Sequence, residues 1–304
     1  MIRRYLNFFG IDDTEKLLKA NEIKSNPSIR VNTLKITPEE LKSRFLELKF
    51  SLERIDWIPY GFGVKKESLN LGSLHEYLQG YFYIQNKVSM LPPYILNPNL
   101  NELVLDMCAS PGGKSTHLAQ IMKNKGKLIL IERNKKRIPA LVFNLRRMGI
   151  HNAIVINEDA RNLQDLDLKF DKILLDAPCT GEGLIRDDPK RKNNKTLVDI
   201  KKMAKIQEEL LLSGIKLLKN EGLLLYSTCS IAPEENEMVI NNILKKTNNL
   251  KVIKIENQYG VSGFTEVLGK QLKNDLKFSQ RFFPHIHDTI GFFICLIKKK
   301  GKNF

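Results

Sequence analysis

Apolar runs at 103–107 (LVLDM), 127–131 (KLILI), 153–157 (AIVIN), 171–176 (DKILLD) and 223–227 (LLLYS) have the length and continuity of strands buried on both faces. Helix-like stretches separate them. The clearest covers 196–219, where Leu197, Ile200, Met203, Ala204, Leu210, Leu211, Ile215 and Leu218 recur along one face. Strand alternating with helix predicts an α/β fold with a parallel, doubly wound, Rossmann-like sheet, whose ligands sit beyond the carboxyl ends of the strands. A last apolar run, Gly291–Ile297, is placed at the sheet edge. Before residue 100 the pattern differs. Ser28–Lys35 alternates as a strand, and Thr37-Pro38-Glu39-Glu40 starts a helix with an N-cap, a proline in the first turn and a capping box. That helix runs to about Leu48, whereas segments 50–84 yield no assignment. Pro92-Pro93 and the polar run Asn97–Asn101 mark a junction, giving a small N-terminal α/β domain over 1–98 and a larger α/β domain over 99–304.

Charge sharpens the picture. The 304 residues carry 49 Lys and Arg against 34 Asp and Glu, a balance of +15 that points to a polyanionic partner. A hydrophobic share of 42% with 27% charged residues excludes a disordered chain. The absence of an apolar run of about 18 residues excludes a membrane-spanning helix, and MIRRYLNFFG turns polar too soon for a signal peptide. Cys108, Cys179, Cys229 and Cys295 form no Cys-x-x-Cys pair, which argues against a disulfide framework or zinc finger and for a reducing, cytoplasmic setting. His285 and His287 lack a third ligand at metal spacing, so no metal is expected.

Chemistry gathers at the strand ends. The first run leads into Asp106-Met107-Cys108-Ala109-Ser110-Pro111-Gly112-Gly113-Lys114-Ser115. Glycines after a strand let backbone amides approach a ligand, and a helix beginning near Ser115 offers its positive end. A phosphate-cradling Walker loop needs Gly where Cys108 stands, and the dinucleotide Gly-x-Gly-x-x-Gly is absent. A loop for an adenosine-type ligand without a phosphate chain remains, which fits S-adenosylmethionine; a tight turn with no ligand is the plainer alternative. Glu132, 26 residues beyond Asp106, is placed to accept from ribose hydroxyls, and Asp159 to bind an adenine amino group. Arg137 follows on the side of Glu132.

The fourth run ends Asp176-Ala177-Pro178-Cys179 and the fifth Ser227-Thr228-Cys229-Ser230. If these strands are neighbours, about 4.8 Å apart, two cysteines share one crevice. Free cysteine is usually an inert buried hydrophobe, but thiols beside a methyl-donor loop have a use. Carbon-5 of a pyrimidine is a poor nucleophile. Adding a thiolate to carbon-6 pushes electrons onto carbon-5, which then takes a methyl from a sulfonium. A free thiol has a pKa of about 8.5, so only a few per cent is thiolate near neutrality, and a basic site raises that fraction.

Asp106–Ser115 (DMCASPGGKS), Asp176–Cys179 (DAPC) and Ser227–Ser230 (STCS) together resemble the RNA 5-methylcytosine methyltransferases of the Nop2/Sun family. Arg281–His285 (RFFPH), followed by Asp288 and Gly291-Phe292-Phe293, is similar to that family's closing motif, and Pro233–Glu237 (PEENE) also looks familial. The likeness runs from about Arg30 to Ile297 and is greatest towards the small archaeal transfer-RNA enzymes. It implies a class I S-adenosylmethionine-dependent catalytic domain over 99–304 and an RNA-binding domain over 1–98. It implies Cys229 as the nucleophile at carbon-6 and Cys179 as the group that helps remove the carbon-5 proton. Sequence order alone leaves those two roles interchangeable. Asp176 would hold the exocyclic amine beside the donor methyl, and Lys114 would lie near the base. The donor pocket would comprise Cys108, Ala109, Ser110, Pro111, Gly112, Gly113 and Lys114, with Glu132, Arg137, Asp159 and Asp176. Ser110 departs from the second Ala of many members.

RNA contacts are expected at Arg30 and Asn32, which share one face of their strand, and at Arg186, Lys190 and Arg191 in and beside the basic run Lys190–Lys195. Lys298–Lys300 with Lys302 read as a solubilising, frayed tail. The expected substrate is transfer RNA near the variable-loop and T-arm junction. Ribosomal RNA and a non-catalytic RNA-binding assembly role are the alternatives. RNA rather than DNA or a membrane is the expected partner, and the chain is expected to be a monomer.

Overall fold

The computed structural model describes residues 1–66, 69–165, 167–192 and 195–301. The chain packs as two compact units: Asn26–Ala160, and Met1–Ser25 together with Arg161–Phe304. Helix α1 (Ile2–Asn21) belongs to the latter, so the division by packing cuts across the pattern change near residue 98.

In Asn26–Ala160, β1 (Ser28–Val31), β2 (Ser51–Arg54), β3 (Gly61–Lys66) and β4 (Phe82–Ile84) form an antiparallel sheet in the order β2-β3-β1-β4. Helix α2 (Pro38–Glu47) starts as its sequence dictates: the Glu40 N–H donates to Thr37 Oγ1 at 3.2 Å, and the Thr37 N–H to Glu40 Oε2 at 2.9 Å. Its Leu41 and Phe45 close over Ile29, Val31, Phe62 and Phe82. Among the described residues, the unassigned stretch 50–84 thus holds three short strands, a 3-10 turn (Leu71–Ser73) and the single turn of α3 (His75–Leu78), each too brief to show a period. After α4 (Leu91–Leu96) come β5 (Leu103–Asp106), β6 (Lys127–Ile131) and β7 (Ala153–Ile156), parallel in that order, with α5 (Gly113–Ile121) and α6 (Ile138–Met148) between them. β7 ends this order, and Ile154 is 56% exposed, so the double burial read from AIVIN does not hold there.

In the other unit, β8 (Phe170–Asp176) and β9 (Leu218–Thr228) run parallel with Asp176 opposite Ser227. Helix α7 (Leu197–Leu217), capped by Thr196, joins them, and α8 (Glu237–Lys246) follows. Then come β10 (Leu250–Val252), β11 (Val261–Ser262), the hairpin β12 (Glu266–Val267) and β13 (Lys270–Gln271), β14 (Gln280–Phe282) and β15 (Phe292–Lys299). The order is β11-β14-β15-β9-β8, with β10 also paired to β15.

β15 lies antiparallel between β9 and β14. The Gly291–Ile297 run is therefore an interior strand and not the edge, as the burial of every residue from Phe292 to Ile297 requires. The strand continues through Lys298 and Lys299, which corrects the frayed tail expected there. Lys299 Nζ donates to Ile215 O at 2.9 Å and Leu218 O at 2.8 Å, and Lys298 pairs with Glu221 at 2.6 Å. Lys302 lies outside the described residues. Helix α1, kinked at Gly10, sets Tyr5 and Leu17 against Ile231 and Phe283.

Candidate active site

The paired ends of β8 and β9 carry the thiols. The ladder extends one step past the register pair, with the Ala177 N–H donating to Ser227 O at 2.8 Å. Ser227 Oγ donates to Asp176 Oδ1 at 2.8 Å and so orients the carboxylate. Cys179 and Cys229, both half-buried, bring their Sγ atoms to 3.0 Å of each other. Gly183 ties the two loops: its N–H donates to Cys229 O at 3.0 Å, and its carbonyl accepts the Gly291 N–H at 2.8 Å. A Cβ at Gly183 would meet Gly291 O at 2.1 Å, so the close approach requires glycine. The Cys179 thiol is pushed well above its ordinary range, first by its hydrogen bond with Cys229, then by burial and the negative charge of Cys229 and Glu235. Those causes hold Cys179 as a neutral thiol at neutral pH.

The PEENE stretch supports this pair in ways its sequence did not reveal. Glu235, fully buried, accepts from the N–H and the hydroxyl of Thr180 and from the hydroxyl of Ser230. Asn236 accepts from Thr228 Oγ1 at 2.6 Å and donates to Ser230 O at 2.9 Å. Glu237 receives Arg281 Nη1 at 2.6 Å on both carboxylate oxygens. Three acids within five residues, in a chain of net charge +15, were the available signal.

In the unit Asn26–Ala160, buried Asp106 staples the loop that follows β5. Its Oδ2 accepts from Ser115 Oγ at 2.7 Å and its Oδ1 from the Cys108 N–H at 3.3 Å. The Ala109 N–H donates to Ile131 O at 2.9 Å, and the Gly112 N–H to Ala109 O at 2.8 Å. Gly112 turns with φ 102°, where a Cβ would also crowd Leu141 Cδ1 at 3.0 Å. The first backbone bond of α5 runs from the Thr116 N–H to Gly112 O, so the amides before it point off the helix end. Pro111 is exposed and Lys114 half-buried on this turn.

Glu132 is buried and accepts the Asn134 N–H at 2.8 Å, with Arg137 Nη1 3.5 Å from its other oxygen. Arg137 itself latches the loop: Nη2 donates to Ser110 O at 2.5 Å, and Ser110 Oγ returns a bond to Arg137 O at 3.0 Å. Asp159 is half-buried, 3.9 Å from Arg133. Two acids at neighbouring strand ends, a glycine turn and a helix start match a nucleoside bearing an amino-acid tail: acceptors for its hydroxyls and amine, and a positive helix end for its carboxylate.

The expected RNA contacts divide. Arg30 in β1 and Asn32 just past its end are fully buried, because α5 and the end of α6 cover the face they share. Arg30 donates to Gly113 O at 2.6 Å, Thr116 Oγ1 at 2.8 Å and Gln85 Oε1 at 3.0 Å; Asn32 Nδ2 donates to Gly80 O at 2.8 Å and Met148 O at 2.9 Å. Their shared face is the interior one, which corrects the expectation of phosphate contact. Arg186 is likewise buried, donating to Ile23 O at 2.5 Å and pairing with Asp288 at 2.7 Å. Lys190 is exposed. Arg191 is half-buried, donating to Thr180 O at 2.9 Å and pairing with Asp188 at 3.1 Å. Asn193 and Asn194 of the basic run lie outside the described residues.

The chain is similar to known proteins. Residues 93–298 match the family described as 16S rRNA methyltransferase RsmB/F, and residues 1–87 match the N-terminal domain of 16S rRNA methyltransferase RsmF. A human 28S rRNA (cytosine(4447)-C(5))-methyltransferase is 37% identical across 98% of this chain, which spans 37% of that protein's length. A tRNA (cytosine(49)-C(5))-methyltransferase of Pyrococcus abyssi is 36% identical across 98% of this chain and 95% of its own. A solved methyltransferase homolog protein from Pyrococcus horikoshii has a TM-score of 0.90 at 37% identity, covering 98% of this chain and 93% of that one. NSun6 from the same organism, solved with SFG, has a TM-score of 0.88 at 28% identity, covering 99% and 98%. Matched by the family model from residue 93 to 298 and by a homologous enzyme over nearly all of both chains, the protein belongs to the RsmB/F methyltransferase family and has its class I methyltransferase fold.

Proposed function

We propose that this chain transfers a methyl group from S-adenosylmethionine to carbon-5 of cytosine in RNA through a covalent cysteine–cytosine intermediate. The observation that carries this reading is the pair of sulfurs 3.0 Å apart at the ends of two hydrogen-bonded parallel strands. A binding module has no use for such a pair. S-adenosylmethionine supplies an electrophilic methyl when bound, and the Cys108–Lys114 loop, Glu132, Arg137 and Asp159 are the residues that would hold it.

The remaining work falls to side chains. Cys229, as thiolate, would bond to carbon-6 and move a ring electron pair onto carbon-5, which would take the methyl while the methyl–sulfur electron pair stays on the donor sulfur. Asp176, oriented by Ser227, holds the exocyclic amine. Lys114, on the first turn of α5, is a further candidate for contact with the base. Once Cys229 is bonded to carbon, its negative charge no longer opposes ionisation of Cys179, which releases its proton to solvent. The Cys179 thiolate then removes the carbon-5 hydrogen as a proton. The C–H electron pair restores the ring double bond, and the S–C pair returns to Cys229.

Transfer RNA is the substrate we favour, because the relative matched over 95% of its length carries that activity in its name. The equal likeness to the human 28S enzyme makes ribosomal RNA the second reading. Exposed Lys190 and the excess positive charge would draw either polyanion. With donor and RNA present, Cys179→Ala should accumulate an RNA adduct that survives denaturing gels, and Cys229→Ala should form none. The reverse result would overturn the assignment of the nucleophile. Bisulfite sequencing of treated tRNA and rRNA distinguishes the substrates; tight RNA binding by the wild-type chain with no methyl incorporated into either would overturn the reading.

A further inference from the structure

We propose that Glu235 is the positioning residue of the thiol pair, one buried carboxylate that ties the residue after Cys179 to the residue after Cys229. Its consequence for rate rests on the cytosine-5 transfer reading; its geometry does not. Glu235 ends the 3-10 turn Pro233–Glu235 behind β9 and has no solvent exposure. Its Oε1 accepts from the Thr180 N–H at 2.8 Å and Gln207 Nε2 at 3.2 Å. Its Oε2 accepts from Thr180 Oγ1 at 2.6 Å and Ser230 Oγ at 2.5 Å. The backbone that carries it is itself fixed, since Glu235 O accepts from Tyr226 Oη at 2.6 Å and the Glu235 N–H donates to Ala232 O at 3.1 Å.

Hydrogen bonds to an ionised acceptor are short and strong. Four converging on one carboxylate leave neither cysteine loop free to drift without breaking a bond in a dry interior. The same charge has a second effect. The groups that act on Cys179 are Cys229 from the loop after β9, Glu235 from its turn, and the Gly181 N–H from its own loop; the first two oppose ionisation and the last favours it. Glu235 thus helps to keep Cys179 a thiol. A glutamine in its place keeps the shape, removes the charge and turns one acceptor into a donor facing donors.

The test uses Glu235→Gln, Thr180→Val and Ser230→Ala in the full chain. Iodoacetamide alkylation against pH, resolved by peptide mass spectrometry, reads Cys179 without RNA or donor; steady-state transfer to tRNA reads kcat and KM. Glu235→Gln should lower the midpoint pH of Cys179 alkylation. It should also lower kcat by about a hundredfold with little change in the KM for RNA, the loss that misplacing a reacting group by about 1 Å brings. Thr180→Val and Ser230→Ala should lower kcat less, again without moving KM. Wild-type kcat in Glu235→Gln, or an unchanged midpoint, would overturn the proposal. If that variant does not fold, the hydroxyl variants decide, and wild-type kcat in both refutes it. A wild-type chain that methylates no RNA would sink the transferase reading, while the alkylation comparison would still test Glu235.

Discussion

Replacing Arg281 by Met should cost the fold about 3–5 kcal/mol, the range for removing one partner of a buried ion pair. Arg281 and Glu237 have side-chain exposures of 1% and 0%, and Nη1 reaches both carboxylate oxygens at 2.6 Å. The second guanidinium nitrogen donates to Ile231 O, two residues past Cys229, and the group lies 4.1 Å from the centroid of the Phe264 ring. Methionine replaces most of the side-chain stem, so little cavity is left. What remains is a carboxylate in a dry interior, with the Phe264 N–H at 3.0 Å still bonded to it. Urea unfolding would read the loss directly. Thermal melts should shift by about 5–15 °C, at a few degrees per kcal/mol for chains of this size.

The double variant Arg281→Met with Glu237→Leu supplies the control. It removes the stranded charge with its partner, and an apolar replacement of a whole buried pair is near neutral or stabilising. Most of the lost stability should therefore return. If the double variant is as unstable as Arg281→Met alone, the penalty lies in lost packing on Phe264 or in the bond to Ile231, and the electrostatic account is wrong.

Three further outcomes are expected. His117 is fully buried beside Tyr60 Oη, 2.8 Å from its Nε2, and burial, then Arg30, hold it well below its ordinary range. The native imidazole is neutral while the unfolded chain takes up a proton below about pH 6.5. Stability should therefore fall as pH drops from about 6.5 to 5, by up to about 1.4 kcal/mol per pH unit from this residue. Half-buried His285 adds in the same direction. His117→Gln should flatten the slope in urea titrations, and an unaltered slope would refute the cause. Gly112→Ala forces a side chain into φ 102° and against Leu141, so calorimetry should show weaker S-adenosylmethionine binding by about 1–3 kcal/mol; an unchanged Kd would mean that the turn does not shape the donor site. Arg30→Gln should destabilise by about 1.5–3 kcal/mol through its lost charged hydrogen bonds yet leave the salt dependence of RNA binding intact. Lys190→Gln should leave stability alone and reduce the log–log salt slope by about 0.7–0.9; the opposite pattern would restore Arg30 to the RNA surface.

The strand ends were legible because each is marked twice, by an apolar run that stops and by a break residue that follows. That double mark located Asp106, Glu132, Asp176 and Ser227, and the pairing of β8 with β9 then brought the sulfurs together as the spacing required. Helix α2 was legible for a similar reason, since its cap is closed by residues three apart. Where the deciding partner is remote, the sequence is silent. Alternation put Arg30 and Asn32 on one face without saying that α5 and the end of α6 would cover that face and accept their bonds at Gly113, Thr116 and Met148. The run 292–297 is equally apolar at an edge or in the middle; only its two antiparallel neighbours separate the cases. Helix α1 was missed because Gly10 breaks its period and its buried residues answer to Ile231 and Phe283.

The acids of PEENE make the sharpest case. In a basic chain an acid reads as one more surface charge, yet all three find dedicated partners: Glu234 pairs with Arg4 at 2.7 Å, Glu235 with Thr180 and Ser230, and Glu237 with Arg281. Removing charged groups from water is expensive unless each is met, so Glu235 and Glu237 can be buried fully, and Glu234 in part, only where α1, the two cysteine loops and β14 supply a donor apiece. Those donors come from four separate stretches of chain. Burial of the acids is therefore a property of the assembled unit, and the reactive geometry of the two sulfurs depends on contacts that no local stretch of sequence contains.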